Sequence, residues 1–167
     1  DELEQAGLRD STAIVFCSDH GYHLGEHGFW QKQNYHEDVT RVPLIISAPG
    51  ISPGRTHSLV ELVDIFPTLT DLTAIKTPST VQGKSLLPLL KNPTYTVRNS
   101  ALSLHKGYSL RTEEWAFMRY SDGTEELYDM NTDPFQFTNL ADKTKFQAIK
   151  KSLAAQLQQR LRDAQIN

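Results

Sequence analysis

The sequence predicts an α/β fold: two buried strands in its first half, then a small antiparallel sheet covered by one helix. Three observations carry this. Residues 12–17 and 42–48 are short, continuously apolar runs bounded by polar or turn residues. Such runs suit strands covered on both faces, as in a parallel sheet. Runs 115–120 and 125–129 flank Ser121-Asp122-Gly123-Thr124, and an Asp-Gly pair in that setting signals a hairpin. Finally, Phe146, Ile149, Leu153, Leu157 and Leu161 recur at spacings of 3, 4, 4 and 4, one face of an amphipathic helix.

The elements follow in order. Residues 1–9 read as the end of a helix, with Gly7 as its C′ residue. The first strand ends in Ser18-Asp19-His20-Gly21, and open α/β sheets place ligands beyond the carboxyl ends of strands. Residues 21–41 look irregular, with one helical turn near 34–40. Pro43 fits the first position of the second strand, where no ladder donor is needed. Pro49-Gly50 and Ser52-Pro53-Gly54 mark turns. Asp64 is positioned to cap a helix over 65–72, whose apolar face is Ile65, Phe66, Leu69 and Leu72 and whose Pro67 is tolerated in the first turn. Residues 74–82 form a loop and 85–90 a short apolar piece. The character changes near residue 92, and residues 102–111 add another strand or two. Two domains are expected, 1–95 and 96–167.

Composition narrows the function. With 17 basic and 20 acidic residues, the formal net charge is −3, too mild to argue for nucleic acid or an anionic membrane as partner. No apolar run approaches the roughly 18 residues that span a bilayer. One cysteine, Cys17, makes no internal disulfide, and its place in an apolar run predicts an inert buried thiol. The chain opens Asp-Glu-Leu-Glu-Gln without Met or a leader pattern. This reads as a fragment of a longer protein.

The densest chemistry lies in residues 17–32, with three of the six histidines, Asp19, Glu26 and Lys32. A carboxylate and an imidazole directly after a buried strand can both face a site at the sheet's edge. Gly21, Gly25 and Gly28 permit tight turns around a ligand, and Lys32 is a mobile cation suited to an anion. Each residue type also has a structural reading. An Asp after a strand is often a helix or turn cap. His23 and His27, four apart, fit either a zinc pair or a structural role. Glu26 fits an acid–base group or a salt bridge, and Phe29 and Trp30 fit core or pocket wall.

Several stretches in collinear order resemble the sulfatase family. Ser18-Asp19-His20-Gly21, Leu24-Gly25-Glu26-His27-Gly28, Trp30-Gln31-Lys32 and Thr40-Arg41-Val42-Pro43-Leu44-Ile45 are similar to its second signature region, in the iduronate-2-sulfatase-like form that reads Asp-His. Val63-Asp64-Ile65-Phe66-Pro67-Thr68-Leu69, Gln82-Gly83-Lys84-Ser85-Leu86-Leu87-Pro88-Leu89-Leu90, and Glu126-Leu127-Tyr128-Asp129 with Asn139-Leu140-Ala141 resemble later family segments. The resemblance implies an alkaline-phosphatase-like sulfatase core fragment with a small C-terminal antiparallel sheet plus helix. It implies hydrolysis of a sulfate monoester, with a sulfated small molecule or saccharide as substrate. It also implies a divalent cation, usually Ca²⁺, with Asp19 and His20 as half of its ligands. Lys32 matches the family's sulfate-binding, catalytic lysine, and His27 is expected to bind substrate with it. A lysosomal, periplasmic or secreted setting is expected.

The family's nucleophile, a formylglycine made in a Cys/Ser-x-Pro-x-Arg motif, has no counterpart in this sequence. A missing N-terminal sulfatase segment or chain is therefore the expected partner. Two other readings stand beside this one: a phosphoryl or phosphonate hydrolase of the same superfamily, and a non-catalytic fragment that needs a partner.

Overall fold

A computed structural model describes residues 2–166. In chain order the elements are α1 (Glu2–Gln5), β1 (Ile14–Cys17), α2 (Glu37–Thr40), β2 (Leu44–Ser47), α3 (Ile65–Leu72), α4 (Leu87–Lys91), β3 (Ser100–Leu104), β4 (Gly107–Thr112), β5 (Trp115–Tyr120), β6 (Glu125–Asp129) and α5 (Gln147–Asp163). They group into two compact units. One takes the chain up to Asp19 together with Pro43–Arg98, and the other takes His20–Val42 together with the chain from Asn99 onward. None of the helices among the described residues is long and apolar enough to cross a membrane.

In the first unit β1 and β2 pair antiparallel, Ile14 opposite Ser47 and Cys17 opposite Leu44. The sequence pointed instead to strands buried as in a parallel sheet. An apolar run says that two faces want cover; it does not encode strand direction. Among the described residues these faces lack that cover: Phe16 and Ile45 are 59% and 62% exposed, and Cys17 is exposed rather than buried.

The helix over 65–72 forms as expected, but Asp64 does not cap it. The Asp64 carboxylate is fully buried. It accepts hydrogen bonds from the backbone N–H of Glu61 (2.8 Å) and of Lys84 (2.8 Å), and from the Arg98 guanidinium. Arg98 also pairs with Glu61. Thr68 Oγ1 donates to the Asp64 carbonyl and accepts from the Leu86 N–H. Buried polar groups must be satisfied, and this network ties together the start of α3, the 84–86 segment and residue 98.

In the second unit β3-β4-β5-β6 form an antiparallel meander. Side chains alternate across a strand, and here both faces are covered. Leu110, Phe117 and Leu127 face α5 and pack on Leu153, Leu157 and Leu161. Ala116, Met118 and Tyr128 face the other way and pack with Tyr35 and Met130. The Asp-Gly hairpin closes as the sequence indicates, with the Tyr120 N–H donating to the Thr124 carbonyl and Gly123 at φ 86°. This two-faced sheet is the platform that carries residues 20–42.

Candidate functional site

Residues 20–32 form an irregular ribbon. The His23 N–H donates to the Gln31 carbonyl and the Gly25 N–H to the Phe29 carbonyl, both at 3.0 Å. The ribbon reverses through positive-φ residues: Gly25 (123°), His27 (56°) and Gly28 (75°). Glu26 Oε2 accepts the Leu24 N–H at 2.6 Å. Backbone N–H groups of Glu26 itself and of Leu24 hold its carboxyl below its ordinary value, and the side chain braces the turn. At the ribbon's root the Gly21 N–H donates to the Val39 carbonyl (2.8 Å), and a Cβ at Gly21 would run into the Asp38 carbonyl. Glycine is required there by close backbone approach.

This reversal returns Lys32 to His20. Lys32 Nζ lies 2.6 Å from His20 Nε2, and His20 Nδ1 lies 2.8 Å from the Gly21 carbonyl oxygen. A carbonyl only accepts, so Nδ1 carries the proton and Nε2 offers its lone pair. The contact sets an imidazole base and an ammonium side by side, half-buried and exposed respectively. Asp19, exposed, directly precedes His20.

His27 lies elsewhere on the ribbon. Its ring stacks on His36 at 4.2 Å between centroids and lies 4.9 Å from Phe137. His23, fully buried, packs edge-on against both His27 and His36 at 5.6 Å. Asp38 Oδ2 is 3.7 Å from His23 Nδ1 and 3.9 Å from His27 Nε2, and Glu126 Oε2 is 3.4 Å from His36 Nε2. Burial, then the neighbouring His36 and His23, hold the His27 imidazole below its ordinary value. Burial alone would raise the Glu126 carboxyl, but His36 and the Tyr128 hydroxyl more than offset it and hold it low. Residue type alone did not single out His36, Asp38 or Glu126. No local spacing announces a pair such as His36–Glu126 that joins distant stretches of chain.

A sulfatase family profile, described as N-sulphoglucosamine sulphohydrolase, C-terminal, matches residues 25–163. The chain belongs to the sulfatase family. An N-acetylglucosamine-6-O-sulfatase of Bacteroides thetaiotaomicron is 36% identical over 174 residues, covering 94% of this chain and 31% of that protein. A choline-sulfatase of Rhizobium meliloti is 35% identical over 150 residues, covering 85% and 29%. Among solved structures, BT4656 in complex with its substrate D-glucosamine-2-N,6-O-disulfate superposes with a TM-score of 0.89 at 31% identity, covering 96% of this chain and 36% of that one. The chain thus spans about a third of its relatives and corresponds to the C-terminal portion of such sulfatases.

Among the described residues no group of three or more His, Cys, Asp or Glu is arranged to hold a metal ion. What the sulfatase portion does offer is the Asp19 carboxylate and the His20 Nε2 lone pair. The carboxylate suits a hard cation such as Ca²⁺, whereas the imidazole nitrogen suits transition metals better, so the fit to Ca²⁺ rests on Asp19.

Proposed function

We propose that this chain supplies one side of the active site of a sulfuric ester hydrolase acting on a sulfated saccharide. Asp19 and His20 would hold a divalent cation, Ca²⁺ by family resemblance, together with ligands from the formylglycine-bearing portion. When bound, that cation would act as Lewis acid and template for the sulfuryl group. Lys32 would bind a sulfate oxygen and stabilise the charge that develops there in the transition state. His27 would contribute from beneath, through the ring stack that steadies the ribbon.

The single observation that carries this reading is the 2.6 Å approach of Lys32 to His20. It places an ammonium beside the lone pair that a cation would take. That lone pair accepts the ammonium's hydrogen bond, so a cation taking it would displace the ammonium and leave it for an anion. A sulfate monoester is such an anion: one oxygen can meet the metal while another meets the ammonium. A phosphate or phosphonate ester would satisfy the same geometry.

The test is to join this chain to the formylglycine-bearing portion of a sulfatase and assay saccharide sulfate, phosphate and phosphonate esters side by side. Sulfate turnover that falls about 10²–10³-fold in kcat on Lys32→Ala supports the reading. A change confined to KM, or preference for the phosphorus esters, overturns it.

A further inference from the structure

The ribbon that delivers Lys32 has two unlike faces. Alternation along its paired arms sets residues 22, 24, 30 and 32 on one side and 23, 29 and 31 on the other. The inner side is covered: His23 is fully buried and packs against the Phe29 ring at 5.6 Å. The outer side is open. Tyr22, Leu24 and Trp30 are 50%, 66% and 70% exposed, and Lys32 is exposed beside them. Trp30 is not a loose side chain on a loose loop. The Tyr22 hydroxyl donates to the Trp30 carbonyl at 2.9 Å, and a Cβ at Gly25 would sit 3.7 Å from the indole. The one carboxylate on the ribbon, Glu26, is turned to the Leu24 N–H. The strip is therefore aromatic and aliphatic, free of negative charge, and ends in an ammonium.

We infer that Trp30, flanked by Leu24 and Tyr22, is the platform on which the sugar ring of the substrate stacks while its sulfate is held at Lys32. This inference rests on the function proposed above and names its specificity determinant. The fit is chemical. A pyranose presents an apolar C–H face and a hydroxylated rim, and an aromatic ring with a negative π-face attracts the C–H side and leaves the rim to water. Residues 30 and 32 are two apart on the same side, about 7 Å along an extended chain, a span that one ester linkage and a sugar ring can bridge. Tyr22, whose hydroxyl holds the Trp30 backbone carbonyl, then acts as a positioning residue for the segment that carries the indole.

The experiment is a heteronuclear NMR titration, in Ca²⁺, of the chain joined to the formylglycine-bearing portion of a sulfatase whose nucleophile cysteine is left unconverted. The ligands are N-acetylglucosamine 6-sulfate, unsulfated N-acetylglucosamine and inorganic sulfate, and the readouts are the Trp30 indole N–H and the Lys32 resonances. Trp115, packed on Phe146 at 5.9 Å, serves as an internal control that should not move. The sulfated sugar is expected to shift both sites and to bind roughly 3- to 10-fold more tightly than inorganic sulfate, as one stacked ring contributes. Inorganic sulfate should shift Lys32 and leave the indole in place. Trp30→Ala should reduce the sugar sulfate to the affinity of inorganic sulfate without changing the latter, and Trp30→Tyr should restore most of the difference. If the sugar sulfate binds no better than sulfate, or Trp30→Ala weakens both equally, the platform is wrong while the sulfate site stands. If inorganic sulfate leaves Lys32 unmoved, the proposed sulfate site itself fails, and the platform with it.

Discussion

Asp64 offers the sharpest test of how the first unit is held together, because two readings of it differ severalfold in energy. As a helix cap its removal would cost about 1 kcal/mol. As the centre of a buried ion pair it should cost about 3–5 kcal/mol, since Arg98 would be left inside with half its partners gone. The structure favours the larger figure. The Asp64 side chain is 0% exposed and that of Arg98 3%. Two backbone N–H groups at 2.8 Å would lose their acceptor as well. Glu61, 13% exposed, stays with Arg98 and limits the loss, so about 3 kcal/mol is expected for Asp64→Ala. Asp64→Asn should be nearly as harmful, because its amide turns a donor toward donors. Urea unfolding followed by far-ultraviolet circular dichroism measures this, at unchanged slope. A companion Arg98→Met in the Asp64→Leu background should recover part of the loss. A cost near 1 kcal/mol for both single variants would show that the cluster is not the anchor.

Other expectations concern the second unit and the site. Leu157→Ala, at a fully buried position under the sheet, should cost about 2–5 kcal/mol by urea unfolding. Acid should weaken the fold in two stages. The native His27 imidazole titrates below its ordinary 6.5, so the unfolded chain takes the proton first, and the stability present above about pH 6.5 is lost as pH falls from there. Glu126 is likewise held below its ordinary 4.5, so its contribution is present above that value and lost as pH drops through its lowered native one. His27→Phe should flatten the upper stage alone in a urea-midpoint series against pH. In the assembled enzyme, chelation should abolish turnover and Ca²⁺ should restore it, with inorganic sulfate raising the Ca²⁺ affinity measured by calorimetry. Loss of activity that another cation repairs better would reassign the metal.

What the sequence conveyed about the fold follows from how local each signal was. The strands 115–120 and 125–129 came through residue for residue and α5 along its apolar face, with Phe146 just ahead of the helix, because an Asp-Gly turn and a 3.6-residue period are short-range properties. β1 and β2 were visible as strands, yet their direction and cover were not. Phe16 and Ile45 look like core in a window of six residues, and only the coordinates show them open among the described residues. Asp64 sits where a cap belongs. That it instead gathers Lys84 and Arg98 depends on chain 20 and 34 residues away.

The site divides along the same line. His20 and Lys32 were named from their place after a strand and from the family likeness, and the structure brings them to 2.6 Å through a reversal that Gly25 and Gly28 foreshadow. The histidine stack was half legible: His23 and His27 stood out, but His36, which packs on both, and Glu126, which pairs with His36, belong to α2's threshold and to β6. Trp30 was read as core or pocket wall and is open to solvent. An aromatic residue left uncovered, two positions from the lysine proposed to bind sulfate, is what a surface that takes a ring should look like. The same packing that hides His23 behind the ribbon forces residues 22, 24, 30 and 32 outward, so the buried histidines and the exposed aromatic strip are two consequences of one alternation.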